Sequence, residues 1–164
     1  MKLIDNVVMK GRLELFITNK YGKIMKRMNL GDNIVTNQGR SNLAHLLAGD
    51  ETTDRIVDNL KAGDGGHDPL NPTVPLPVDA SDTALFGTLI ISKTTTYDFP
   101  DGATGYRVRF TADILPAEGN GTGSQEYSEV GLYDVTGRMM THKTFGLITK
   151  TADFGLSFRY TISM

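Results

Sequence analysis

The chain of 164 residues contains no cysteine and no tryptophan. Without thiols there is no disulfide framework, no thiolate metal site and no cysteine nucleophile, so stability rests on packing or on partners. Charge of one sign is missing too. The 17 Lys and Arg face 19 Asp and Glu, and the formal net charge of −2 offers no basic field to a polyanion, which argues against a nucleic-acid partner. Nor is there a long hydrophobic run: MKLIDNVVMKGRLELF at the N-terminus is interrupted by Asp5, Lys10, Arg12 and Glu14. That excludes a signal-peptide core or a spanning helix there, so a soluble chain outside the general secretory route and away from membranes is expected. The length suits one domain with its own core, and no internal repeat or linker divides it.

What the chain does have is 18 glycines, together with frequent Thr, Ser, Val and Ile. This composition favours short strands joined by turns and predicts a mainly β, single antiparallel, β-sandwich-like domain over residues 1–164. RLELFITNKYGKIMKRM reads as a hairpin closed near Asn19 to Lys23, where Gly22 can take positive φ. One short helix is expected at about 38–48, with Asn37 as N-cap, Gly49 as the stop, and Leu43, Leu46 and Leu47 on one face. Arg55 to Leu60 fits either a helix or a strand. From Asp64 to Asp82 a long loop follows, with Pro69, Pro72, Pro75 and Pro77 favouring extended backbone. GYRVRFTADIL and FGLSFRYTISM alternate cleanly. They place Tyr106, Val108, Phe110, Ala112 and Ile114, and then Leu156, Phe158, Tyr160, Ile162 and Met164, on buried faces.

The segment KAGDGGHDPLNP, Lys61 to Pro72, is the one most suggestive of chemistry. A phosphate loop needs amides opening onto a helix, whereas these glycines lead into prolines, which have none. Asp64 and Asp68 are hard ligands suited to calcium and His67 could hold a transition metal, but the pattern of an EF-hand or of a paired-histidine site is absent. A solvated turn is the simpler reading, with Gly63, Gly65 and Gly66 allowing a sharp reversal of the chain. His45 is expected on the polar side of the helix, His142 as a solvent-facing or hydrogen-bonded strand residue, and Glu126 and Glu129 as exposed neighbours rather than a catalytic pair. No catalytic, cofactor or metal residue is assigned.

Taken in order, NIVTNQGRSNLAHLLAGD, LKAGDGGHDPLNP, DASDTALFGTLI and EYSEVGLYDVTGRMMTHKTF resemble the N-terminal attachment domains of tailed-bacteriophage tail-collar fibre proteins. In that family a GDG-type turn precedes a proline-containing loop, a TAL segment and an E-[VI]-G-L-[FY]-D strand ahead of a G-x-[LM] hairpin. Asp64 to Gly66, Thr83 to Leu85, Glu129 to Asp134 and Gly137 to Met139 match that layout, and the resemblance spans roughly Asn33 to Phe145. It implies a non-enzymatic virion structural protein, assembled in the bacterial cytoplasm, without cofactor, small-molecule substrate or nucleic acid. Its partners would be other virion proteins and symmetric copies of itself. Because the sequence stops at Met164, without the shaft and receptor-binding tip of a fibre, a tail, baseplate or collar adaptor is expected, with capsid decoration or a receptor- or carbohydrate-binding module as alternatives. The expected interface comprises Asp64, Gly65, Gly66, His67, Asp68, Pro69, Pro72, Pro75, Pro77, Asn120 and Gly121. Tyr97, Phe99 and Tyr106 would be the aromatics of a glycan site, and Asp64, His67 and Asp68 the groups of a metal-dependent hydrolase.

Overall fold

A computed structural model describes residues 9–50 and 53–163. Its strands are β1 (Lys10–Asn19), β2 (Ile24–Val35), β3 (Val57–Gly63), β4 (His67–Asp68), β5 (Asn71–Pro75), β6 (Leu89–Thr94), β7 (Thr96–Asp98), β8 (Arg107–Ile114), β9 (Ser124–Asp134), β10 (Met139–Thr151) and β11 (Phe154–Ser163). One helix, α1 (Asn37–Leu47), and a 3-10 turn at Thr53–Arg55 interrupt them. The domain is mainly β, as its composition predicts. Arg55 to Leu60 resolves as that turn running into β3.

Nine strands form one sheet in the order β6-β3-β9-β10-β2-β1-β11-β8-β7, and β4 and β5 form a separate ribbon. β2 joins the two halves of the sheet, its first part running along β1 and only Ile34 and Val35 pairing with β10. The β1–β2 register shifts between Leu13 and Glu14, beside Gly31, where φ is 81°, and the pairing with β1 continues to Asn33 before β10 takes over. Since β6 and β7 end the sheet yet are separated by Thr95 alone, its edges come together in a nearly closed, barrel-like arrangement. Closure of this kind protects strand edges that would otherwise template aggregation.

Alternation sends Leu13, Leu15, Ala112, Ile114, Leu156, Phe158 and Tyr160 into the core from one half, and Leu60, Ala62, Tyr127, Val130 and Leu132 from the other. Each large apolar side chain buried this way contributes about 1.5–3 kcal/mol. Tyr160 donates its hydroxyl to Val130 O across the core at 3.0 Å, so the halves are joined by a polar link as well. Tyr106 departs from the expected pattern: it lies just before β8 and is exposed, while Met164 lies outside the described residues.

The hairpin closes as expected, with Asn19 N donating to Lys23 O and Gly22 at φ 78°. α1 stops at the expected place, Gly49 taking φ 77°, but its cap is Thr36 rather than Asn37. Thr36 Oγ1 donates to Met139 O at 2.6 Å and accepts from Gly39 N at 3.1 Å, so β10 fixes the capping side chain. The buried face also differs. Gly39 and Asn42 are buried whereas Leu46 and Leu47 are exposed, because Asn42 Nδ2 donates to Asp134 Oδ2 at 2.8 Å and this polar anchor turns the helix.

Candidate functional site

Gly65, Phe86, Gly87 and His142, distant in sequence, converge on one carboxylate. Glu129 stands on β9 between Ser128 and Val130, on the face opposite the core, and is fully buried by the segment running from Asp64 to Thr88. Glu129 Oε1 accepts from Gly65 N at 3.0 Å and Gly87 N at 2.7 Å, and Oε2 accepts from Phe86 N at 2.7 Å. On the neighbouring strand the buried His142 places Nε2 3.1 Å from Glu129 Oε2 and Nδ1 2.7 Å from Asp82 Oδ2. The Phe86 ring closes over the imidazole edge-on at 4.7 Å. The expectation of an exposed Glu129 is therefore wrong, while Glu126 is exposed as predicted.

Burial alone would raise the Glu129 carboxyl, but the His142 hydrogen bond and three main-chain donors outweigh it and hold it below the usual carboxylate range. For His142 burial works in the opposite sense, and the flanking carboxylates overcome it and raise the imidazole above its ordinary value. Buried ions gain in this way only when their remaining hydrogen-bonding positions are filled, as they are here.

The glycine loop serves this cluster through space, not through dihedral freedom. None of Gly63, Gly65 and Gly66 has positive φ, contrary to the role expected of them. A Cβ on Gly65 would lie 2.2 Å from Gly87 N, and one on Gly66 would lie 2.2 Å from Ser128 O. Side chains there would hold the loop off the sheet. Gly66 N donates to Ser128 Oγ at 2.9 Å, which also pairs with His67 Nδ1 at 3.0 Å, while Asp64 Oδ1 accepts from Thr88 N. Asp68 Oδ1 accepts from Leu70 N. The groups considered for calcium or a hydrolase are thus engaged with main chain or Ser128, and the described residues contain no cluster of three or more His, Asp and Glu placed to hold a metal.

Asp134, at the far end of the same strand motif, is also buried. Its Oδ1 accepts from Thr136 N and Arg138 N, and its Oδ2 from Arg138 Nε and Asn42 Nδ2, tying the β9–β10 turn to α1. Both acids of EVGLYD therefore organise backbone.

The expected interface residues divide into two kinds. Gly66 is buried, and Asp64, Gly65, His67 and Asp68 are half-buried against the sheet, whereas Pro69, Pro72, Pro75 and Pro77 are exposed on and beside the β4–β5 ribbon, with Leu70 at its tip. Leu76 N donates to Gly66 O and Thr144 Oγ1 to Leu76 O, so the ribbon is fastened within the chain. Asn120 is likewise held: Lys150, fully buried, donates to Pro116 O, Glu118 O and Asn120 Oδ1 at 3.0, 2.7 and 2.6 Å. Burial lowers the Lys150 ammonium, and the Glu118 charge opposes that shift. Gly121 beyond it is exposed.

An apolar concave feature was not anticipated. Val35, Leu43, Phe110, Met140 and Ile162 line an apolar cavity of about 300 Å³ between α1 and the two halves of the sheet. Among its lining residues, Leu46 (41%), Ile56 (49%), Tyr97 (67%) and Phe99 (55%) are exposed to water. The surplus leucines of α1 were the available signal, since they exceed what the helix buries. Among the described residues no helix is long and apolar enough to cross a membrane.

Comparison with protein-family models, curated proteins and solved structures finds no match to this chain.

Proposed function

We propose that this chain is a non-enzymatic structural protein of a tailed-phage virion, working through protein–protein contacts as an attachment or adaptor component at the tail, baseplate or collar. The observation that carries the reading is the division of its surface chemistry. Glu129, His142 and Asp134 are consumed in holding backbone, while Leu46, Ile56 and Phe99, which line one cavity, stand open to water. Apolar surface grouped in this way marks a protein-binding face. Two of the motifs behind the resemblance, Asp64 to Gly66 and Glu129 to Asp134, meet in space through the Gly65–Glu129 hydrogen bond, which supports the reading. The exposed ribbon prolines and Leu70 supply a second contact, and symmetric copies around an axis would multiply modest single affinities.

Electron microscopy of the assembled particle tests the proposal. Density for this chain at the tail, baseplate or collar, with neighbouring subunits on the Leu46–Phe99 surface, supports it. Copies spread over the shell would make it a capsid decoration protein, and absence from purified particles would end the virion reading.

One observation favours a second reading. Tyr97, Phe99 and Tyr106 are all exposed, and the first two meet edge-to-face at 6.0 Å, an arrangement that a glycan-binding module could use. Glycan-array binding by the purified chain that is lost in Tyr97→Ala would replace the adaptor role by receptor recognition.

A further inference from the structure

His142 presents each ring nitrogen to a different carboxylate, Nδ1 to Asp82 and Nε2 to Glu129, with the ring wholly buried. A neutral imidazole carries a single N–H and would turn a lone pair toward one of those oxygens. Only the doubly protonated ring donates both ways. We infer that His142 is a charge-dependent latch: as imidazolium it fastens residues 79–83 to the sheet through Asp82, and its deprotonation at alkaline pH frees that segment while the β9–β10 pairing stays intact.

The two carboxylates are anchored unequally, which makes the release local. Glu129 keeps the amides of Gly65, Phe86 and Gly87 whatever the charge on the histidine. The other hydrogen bond to Asp82 Oδ2 comes from Asp79 N, inside the segment to be released. The further charged and titratable groups near this face are engaged elsewhere. Lys61 of β3 lies over the Tyr133 ring, Asp64 accepts from Thr88 N, His67 pairs with Ser128, and Asp79 accepts from Ser81. β2 brings Ile34 opposite His142, and Phe86 covers it from above. Release would also be felt at the helix, because Asn37 N, the first residue of α1, donates to Ala80 O at 2.7 Å.

The upward direction of the His142 shift agrees with this geometry. A raised imidazole gives stability that is complete below its unfolded value of 6.5 and lost as pH rises through the folded value, so the latch opens on the alkaline side of that folded value. The inference concerns the fold of the chain and holds whatever the chain binds.

The test is nuclear magnetic resonance on the intact chain, with the His142 ring nitrogens and the backbone carbons of residues 79–83 followed from pH 6 to the alkaline limit of folding. Expected are two ring N–H groups at neutral pH, and 79–83 carbon shifts that move to disordered values with the same midpoint as the ring. In Asp82→Asn those carbons should already sit at the released position at neutral pH, with Asn37 amide protection lowered about tenfold or more. A singly protonated His142 at neutral pH would overturn the latch. So would segment 79–83 staying in place as the ring loses its proton, or the whole sheet unfolding with it. The wild-type titration decides the matter even if the variant does not fold.

Discussion

Beneath the segment that runs from Asp64 to Thr88, an acid, a histidine and a serine lie fully buried, and their side-chain oxygens and ring nitrogens meet partners supplied by the chain itself. At the mouth of the cavity below α1 the chemistry is reversed, with leucine, isoleucine and aromatic side chains facing water. Burying charge is costly unless the charge is hydrogen-bonded, and exposing grouped apolar surface is costly unless something covers it. The first region has met its requirement within one polypeptide. The second has not, and it is there that an external partner has most to gain.

If that contrast is right, damage under the Asp64–Thr88 segment, a strap across the sheet, should fall on stability. Glu129→Ala removes the acceptor of three amides and the counter-charge of His142, and should lower the unfolding free energy by about 3–5 kcal/mol in urea denaturation, as expected for breaking a buried pair. Glu129→Gln, which keeps one acceptor oxygen, should cost less. Should both variants unfold at the wild-type midpoint, the polar cluster is not what holds the strap down. Gly65→Ala comes next. Its Cβ would press on Gly87 N at 2.2 Å, backbone against backbone, so overpacking of about 1–3 kcal/mol is expected in the same experiment.

Much of the frame could be read from local pattern. Period-two alternation located β8 and β11, Gly22 marked the first hairpin and Gly49 the end of α1, because each of these signals is contained in a few consecutive residues. The polar cluster could not be read so. Glu129 finds its donors 64, 43 and 42 residues away at Gly65, Phe86 and Gly87, and nothing next to Glu129 distinguishes it from the exposed Glu126. Only the fold brings together the segments that meet at this carboxylate. The helix misled for a related reason. Its leucines share a face, but Asn42 bonded to Asp134 decides which way that face turns, and Asp134 is 92 residues distant.

Acid should loosen the strap region before it affects the apolar core. Glu129 and Asp134 both have carboxyls held below their usual values of 4.5 and 3.8 by hydrogen-bond donors that outweigh burial. Depressed carboxyls add stability that is present above the unfolded value and lost as pH falls through the folded one. Unfolding free energy measured between pH 6 and pH 2 should therefore decline through the acid range. The decline should be shallower in Glu129→Gln, which has one fewer proton to take up. An equal slope in the two proteins would remove Glu129 from the acid response.

The smallest stability effect belongs to the cavity mouth, and there the contrast can be sharpened most. Ile56 is 49% exposed and Phe99 is 55% exposed, so Ile56→Ser and Phe99→Ser should change the unfolding free energy by no more than about 0.5 kcal/mol, the range of ordinary surface substitutions. Incorporation into particles, scored by mass spectrometry of purified virions from cells expressing each variant, should nevertheless fall several-fold if this surface is gripped by a neighbour. Stability and assembly would then separate cleanly, the strap controlling one and the apolar mouth the other. A stable Phe99→Ser protein that enters particles as well as wild type would shift the interface to the proline ribbon, where Leu70, 96% exposed, is the next side chain to remove.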